Sequence, residues 1–227
     1  MKLFYCILIV SLLSACTTMK KEPVEEFIVD LKSPNYQMGE IETQLKSLMG
    51  FGSFKKNTVK VLYFPSEDAV CLQYRLDMMT YHQFWHRDGR ELFIEALAKY
   101  NEDYTARNLN RNAGRKGRKA YGTTEGYLIW QQFKFAVQAK GKMKMELGYT
   151  FSDKLPYFYL YQMEAEYIDK EVRAHNRTSS RIPFLFTRAQ AAEVAALFDQ
   201  NAIDSFILQN RESNSPALNT DPNVDYY

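Results

Sequence analysis

The chain has 227 residues, which is the length of one ordinary domain. Hydrophobic residues make up 46% of it, enough for a core and too many for a wholly disordered chain. The 29 basic and 27 acidic residues give a net charge of +2, which excludes capture of nucleic acid by the charge of the whole molecule. Three cysteines are too few for a disulfide framework.

The first residues have the pattern of a secretory leader. Met1 and Lys2 precede an apolar run, Leu3 to Leu13, which is shorter than the about 20 residues that a membrane-spanning helix needs. The sequence Leu13-Ser14-Ala15-Cys16 resembles the lipobox of bacterial lipoprotein precursors. The resemblance implies that residues 1–15 are a signal peptide and that Cys16 becomes acylated. An ordinary secretory signal that leaves Cys16 as a free thiol is the alternative.

An acylated Cys16 implies a membrane location for the protein. Two or three acyl chains hold a protein stably on a bilayer. We therefore expect a bacterial cell-envelope lipoprotein, with residues 16–25 as a lipidated tether and a palmitate-type anchor. By analogy with Gram-negative sorting, Thr17 in place of an aspartate favours the outer membrane over the inner one. Whether the protein faces the periplasm or the exterior stays open.

The rest of the sequence predicts a single α+β domain over residues 26–210 and a disordered tail over 211–227. The predicted fold is an antiparallel meander sheet with helices packed mainly on one face and a final helix after the last strand. The predicted elements are strand 26–31, helix 33–49, strands 57–64 and 69–78, a helix from Asp88, strands from 123 to 186, and a helix from Thr187 that continues through Ile207.

Three local patterns refine this prediction. Asp88 with Glu91, and Thr187 with Gln190, have the spacing of capping boxes at helix starts. Pro183 within the last strand indicates a sheet edge, because proline cannot donate a ladder hydrogen bond.

The strand that begins at Tyr157 has a tyrosine-rich face, formed by Tyr157, Tyr159 and Tyr161. This face has two interpretations. It is a second covered or edge face of the sheet, or it lines a concave aromatic groove, closed by the last helix, that carries a lipid or another apolar ligand.

His82 and His86 are the candidate metal ligands. On a helix, residues four apart share a face, but on a strand they are about 13 Å apart. Asp88, Glu91 or His175 would have to complete a site, and surface histidines are the alternative. The chain lacks the common hydrolase, phosphate-loop and dinucleotide motifs, so we expect no cofactor.

A basic loop is the best candidate binding site outside the leader. No acidic residue lies between Asp103 and Glu125, whereas six basic residues do: Arg107, Arg111, Arg115, Lys116, Arg118 and Lys119. The loop has the charge to bind anionic lipid, cell-wall glycan or another envelope protein, and a solvated loop is the alternative. We therefore expect a non-enzymatic binding module, with an apolar-ligand carrier and a metal-dependent hydrolase as alternatives.

Overall fold

A computed structural model of the chain describes residues 29–46, 53–112, 118–132, 138–167 and 179–214. The chain divides into two compact units, Met1–Asp30 and Leu31–Tyr227. Every strand and helix described below belongs to the second unit.

The described residues form nine strands and three α-helices. The strands are β1 (Tyr36–Lys46), β2 (Phe54–Phe64), β3 (Ala69–Leu76), β4 (Met79–Trp85), β5 (Arg118–Gln132), β6 (Ala139–Ser152), β7 (Leu155–Gln162), β8 (Glu166–Tyr167) and β9 (Ile182–Phe186). The helices are α1 (Arg87–Thr105), α2 (Arg188–Phe198) and α3 (Gln200–Asn214).

The sheet closes on itself. The strands follow the order β5-β4-β3-β2-β1-β9-β7-β6, and β5 also pairs with β6, so eight strands form a closed antiparallel ring. The short β8 pairs with the start of β6. Closure pairs strands that are far apart in the sequence, as in the contact of β1 with β9.

All three helices follow strands that end at the same end of the ring. Neighbouring strands are antiparallel, so β4 and β9 run in the same direction. Helix α1 follows β4, and helices α2 and α3 follow β9. Helix α1 packs on β5 and β6, and α2 packs on α1, β1, β7 and β9. We call this end of the ring the helical end.

The interior of the ring is filled by side chains. At the helical end, Trp85 contacts Phe93 of α1 and Phe198 of α2, with ring centroids 5.9 and 5.1 Å away. Deeper inside, the buried Gln162 accepts hydrogen bonds from Tyr74 Oη at 2.6 Å and from Gln83 Nε2 at 2.9 Å. The core is therefore aromatic, with one polar network at its centre.

The predicted fold class is confirmed. The sheet is antiparallel, the helices pack together, and the last helix follows the final strand. The hairpin of β2 and β3 was also predicted correctly. Thr187 forms the predicted capping box with Gln190. The segment predicted as a helix from Thr187 through Ile207 forms two helices, α2 and α3, which are separated at Asp199.

The predicted helix over residues 33–49 is wrong, because residues 36–46 form β1. Ile41 and Leu45 suggested the helix, but residues four apart share a face on a strand as well as on a helix. Thr43 between them is also buried, so every second residue faces the core, and this is the period of a strand. Ten residue pairs with β2 decide the outcome. Residues 47–49 lie outside the described part of the chain.

The predicted sheet edge at Pro183 is also wrong, because β9 lies between β1 and β7. The ladder with β1 includes Phe184 and Leu185 but not Pro183. The missing N–H of proline is therefore tolerated in an internal strand.

Other predicted boundaries shift. The N-cap of α1 is His86 without a side-chain hydrogen bond, so the capping box at Asp88 is wrong. Residues 29–31 form no strand, and residues 26–28 lie outside the described chain. Helix α3 extends to Asn214, past the predicted start of the tail, and the rest of that tail, 215–227, is not described.

Candidate functional site: a cationic groove at the helical end

A groove of about 620 Å³ opens where the end of α1, the end of β6, the start of β7 and the start of α2 meet. We call it the cationic groove. It is lined by Tyr104, Thr105, Arg107, Leu109, Phe151, Pro156 and Arg188. Two arginines therefore line the groove together with aromatic and aliphatic residues. Such a lining suits a ligand that has both an anionic group and an apolar part.

The chain on one side of the groove is held in place by hydrogen bonds. Arg107 follows the end of α1 with a φ of 57°, the left-handed region that glycine usually occupies. The next residues are attached to the sheet: the backbone N–H of Asn110 donates to Tyr149 Oη at 3.1 Å, and Arg111 Nη2 donates to the carbonyl of Lys154 at 2.7 Å. This part of the basic loop is therefore built into the fold.

The opposite side of the groove is held by Pro156 and Arg188. Tyr100 Oη donates to the Pro156 carbonyl at 3.2 Å, and burial raises the pKa of Tyr100 to about 12, so that its hydroxyl stays a donor. The guanidinium of Arg188 lies 4.4 Å from the ring centre of Tyr104, and its Nε donates to Asn101 Oδ1 at 3.0 Å.

Arg188 occupies an electrostatically unfavourable position. It is the first residue of α2, where the partial positive charge of the helix dipole repels a cation. Local helix stability would favour an acidic residue there. A residue that lines a groove although its charge is unfavourable for the local helix is a candidate for a functional role.

The structure separates the residues of the predicted basic loop. Arg107 lines the cationic groove, and the Arg111 guanidinium lies 5.4 Å from the ring centre of the groove residue Phe151. Arg118 and Lys119 belong to β5 instead. Lys119 forms an ion pair with Asp103 at 3.4 Å. Arg115 and Lys116 lie outside the described residues.

The tyrosine-rich face of β7 lies on the outside of the ring. The alternate residues Phe158, Leu160 and Gln162 fill the interior. Tyr159 is buried and donates a hydrogen bond to Glu146, and the Arg118 guanidinium lies 4.4 Å from the ring centre of Tyr161.

These contacts do not favour the predicted ligand groove. Burial and the bond to Glu146 raise the pKa of Tyr159 well above its usual value. Tyr157 is half-buried. None of the three tyrosines lines the cationic groove. On this outer face, Tyr159 and Tyr161 already have partners, Glu146 and Arg118.

The predicted pairing of His82 and His86 around a metal is not formed. Both residues lie on the β4 segment, His82 within the strand and His86 directly after it, so they are about 13 Å apart. His82 is buried beside Gln73, with Nε2 2.9 Å from Gln73 Nε2. The described residues contain no group of three potential ligands that could hold a metal ion. His175 lies outside them.

Two further observations concern the chain as a whole. Cys71 is a buried free thiol, and burial raises its pKa well above the usual value, which makes it unreactive. In the part of the chain that the structure describes, no helix has the length and apolar composition needed to cross a membrane.

Sequence reasoning missed most of the groove. Tyr104 was not among the predicted site residues, and it is 40% exposed. Arg188, Phe151 and Pro156 come from separate elements, and only the closed ring places them beside Arg107. A usable signal was present at Arg188, since a cation directly after a helix cap is unusual.

The fold and the groove together define a class of protein: a closed antiparallel ring, covered at one end by helices, with a cationic, aromatic groove beside them. A family model described as "Uncharacterised Treponema protein" matches residues 19–205, so the chain belongs to that family.

One relative and the solved structures complete the comparison. A protein of Treponema pallidum (strain Nichols), described as an uncharacterized protein, is 25% identical over 152 residues. The match covers 67% of this chain and 53% of the relative, so it spans about half of the relative's length. No solved structure matches the chain.

Proposed function

We propose that this protein is a lipid-anchored cell-envelope protein whose folded domain is a non-enzymatic binding module. The cationic groove is its binding site, and its ligand carries an anionic group next to an apolar segment. The observation that carries the proposal is the placement of Arg107 and Arg188 around Tyr104, Phe151 and Pro156 in one open groove.

The two arginines favour binding over a purely structural role. Arg188 lies at the positive end of α2, and Arg107 has a backbone conformation that costs a non-glycine residue roughly 1 kcal/mol. Within the described ranges, neither Arg107 nor Arg188 forms an ion pair with a carboxylate, and Arg188 contacts the neutral groups of Asn101 and Tyr104. An anionic ligand would supply the missing negative charge.

Octyl phosphate is a suitable probe, because it joins a phosphate to an apolar chain. We expect the chain that starts at Thr17 to bind it below its micelle concentration, as measured by calorimetry. Arg188→Gln should weaken binding about tenfold, since it removes one charge-assisted contact.

Three controls separate the groove from nonspecific attraction. Arg75→Gln removes an exposed arginine of β3 and should leave binding unchanged. Octyl glucoside has the alkyl group of the probe without its charge, and inorganic phosphate has the charge without the alkyl group. Equal binding of octyl phosphate by wild type and by the Arg107→Gln/Arg188→Gln variant would refute the groove as the binding site.

The anchor is tested separately at Cys16. In cells grown with labelled palmitate, the wild-type chain should incorporate label and fractionate with membranes, because the lipobox-like sequence predicts acylation. Cys16→Ser should lose the label. The matched Cys71→Ser variant changes a buried thiol and should keep it. Equal labelling of wild type and Cys16→Ser would remove the anchor from the proposal.

A further inference from the structure

We infer that the rim of the cationic groove is a membrane-docking face that binds the anionic phospholipids of the bilayer to which the protein is anchored. The inference rests on the proposed function and names the ligand of the same groove. The phospholipid phosphate would bind between the arginines, and the apolar part of the lipid would contact the aromatic lining.

An exposed apolar residue extends the groove toward a membrane. Leu155 is 58% exposed and immediately precedes the groove residue Pro156. It follows the tight turn at Asp153 and Lys154, which joins β6 to β7 at the helical end. Tyr104, on the groove wall, is 40% exposed. Membrane-surface proteins insert such leucines at the acyl boundary and place tyrosines at the headgroup level.

The charges around this rim are complementary to an anionic surface. Arg107, Arg111, Lys154 and Arg188 lie in or beside the groove. Of the nearby acidic residues, Asp103 is paired with Lys119 and accepts a hydrogen bond from Tyr121 at 2.7 Å, so its charge is partly compensated. Glu102 and Asp153 are exposed and reduce the positive field without cancelling it. Each basic residue near an anionic bilayer raises binding about fivefold, an effect that salt screens.

The tether is long enough for docking. The lipidated tether predicted over residues 16–25 has ten residues, which span at most about 36 Å when fully extended. Tethering keeps the domain at a high local concentration beside the bilayer, so a weak docking face is sufficient. A lipid surface is therefore favoured over a soluble anion as the ligand.

A fluorophore at Leu155 tests the inference. The full chain with Leu155→Cys is labelled with an environment-sensitive thiol dye. The protein is used in its mature form, in which the proposed acylation occupies the Cys16 thiol, and wild type treated in the same way gives the background, because its Cys71 is buried. The labelled protein is reconstituted into vesicles of phosphatidylcholine alone or with 30% phosphatidylglycerol. We expect blue-shifted emission and quenching by spin-labelled lipid only in the vesicles with phosphatidylglycerol.

Met78→Cys is the matched control. Met78 is 41% exposed and lies in the tight turn between β3 and β4, at the end of the ring opposite the helices. Its dye should not respond to vesicle composition. Adding Arg107→Gln and Arg188→Gln to the Leu155→Cys protein should reduce docking about 25-fold, since two charges are removed at about fivefold each.

The outcomes separate the two proposals. An equal response at positions 155 and 78, or an equal response in both kinds of vesicle, overturns the docking face. No response at position 155 overturns it too, and if octyl phosphate still binds the groove, the proposed function stands with a ligand other than the bilayer. If neither octyl phosphate nor the vesicles engage the groove, both proposals fail.

Discussion

His82 is a neutral buried imidazole whose ionisation opposes folding. Its side chain is 8% exposed, its Nδ1 has no hydrogen-bond partner, and burial lowers its pKa from 6.5 to about 4. The unfolded chain therefore binds a proton between these pH values that the folded chain does not bind. His82 contributes its full stability above about pH 6.5, and this contribution is lost as the pH falls toward 4.

This shift predicts a pH-dependent stability. When the pH is lowered from 7.5 to 5.0, we expect proton binding at position 82 of the unfolded chain to lower the free energy of unfolding by about 2 kcal/mol. The His82→Gln variant should not show this loss. Urea unfolding at the two pH values measures the difference. His86→Gln leaves His82 in place and should keep the wild-type dependence. A His82→Gln variant with the wild-type slope would show that His82 is not the group responsible.

The residue scale also shows what a sequence can reveal about a site. The basic character of residues 107–119 is visible in the sequence, but the contacts of the individual side chains are not. Arg107 lines the groove, Lys119 pairs with Asp103, and Arg118 covers Tyr161. These partners come from α1 and β7, so the assignment depends on contacts between elements that no local pattern encodes.

At the scale of elements, the sequence predicted the structure correctly where a single hydrophobic period or a single helix-capping motif decides it. The strands of the β2–β3 hairpin and the capping box of α2 are local features, and both appear as predicted. The prediction failed at β1, where the apolar spacing is compatible with a helix and with a strand. There the partner strand β2 supplies the deciding hydrogen bonds.

The element scale also explains the shape of the sheet near the groove. At Gly148 of β6, an added Cβ would lie 2.0 Å from the carbonyl oxygen of Lys119. The register of the β5–β6 pairing shifts between Ala120, which is opposite Gly148, and Gly122. A side chain at position 148 would separate the two strands, so this glycine permits the close approach that brings β5 against β6 beside α1.

At the scale of the whole molecule, one polar network joins distant parts of the ring. Gln162 of β7 accepts hydrogen bonds from Tyr74 of β3 and Gln83 of β4, and its Nε2 donates to the Ser180 carbonyl at 3.3 Å. The network connects opposite sides of the interior. A buried network of this kind specifies one arrangement of the strands, because any other leaves polar groups unpaired.

Gln162→Met should therefore destabilise the whole fold. It keeps the volume but leaves the Tyr74 hydroxyl and the Gln83 amide without their acceptor, at a cost of about 3 kcal/mol in the free energy of unfolding. Urea unfolding measures the loss. Gln37→Met, at an exposed position of β1, should change stability by less than about 0.5 kcal/mol.

A double variant checks the cause of this loss. Tyr74→Phe removes one of the two unpaired groups, so the Tyr74→Phe/Gln162→Met protein should lose less stability than the sum of the single variants. Strict additivity would show that the two side chains act independently.

The closed ring has one weak seam. Among the residues that the structure describes, ten pairs join β1 to β2, but only Gln44 with Leu185 and Leu45 with Phe184 join β1 to β9. Strand β9 is also made last, after every other strand of the sheet. During synthesis, β1 and β7 therefore have bare edges until residue 186 has emerged, and a chain that stops earlier would offer both edges to a second copy.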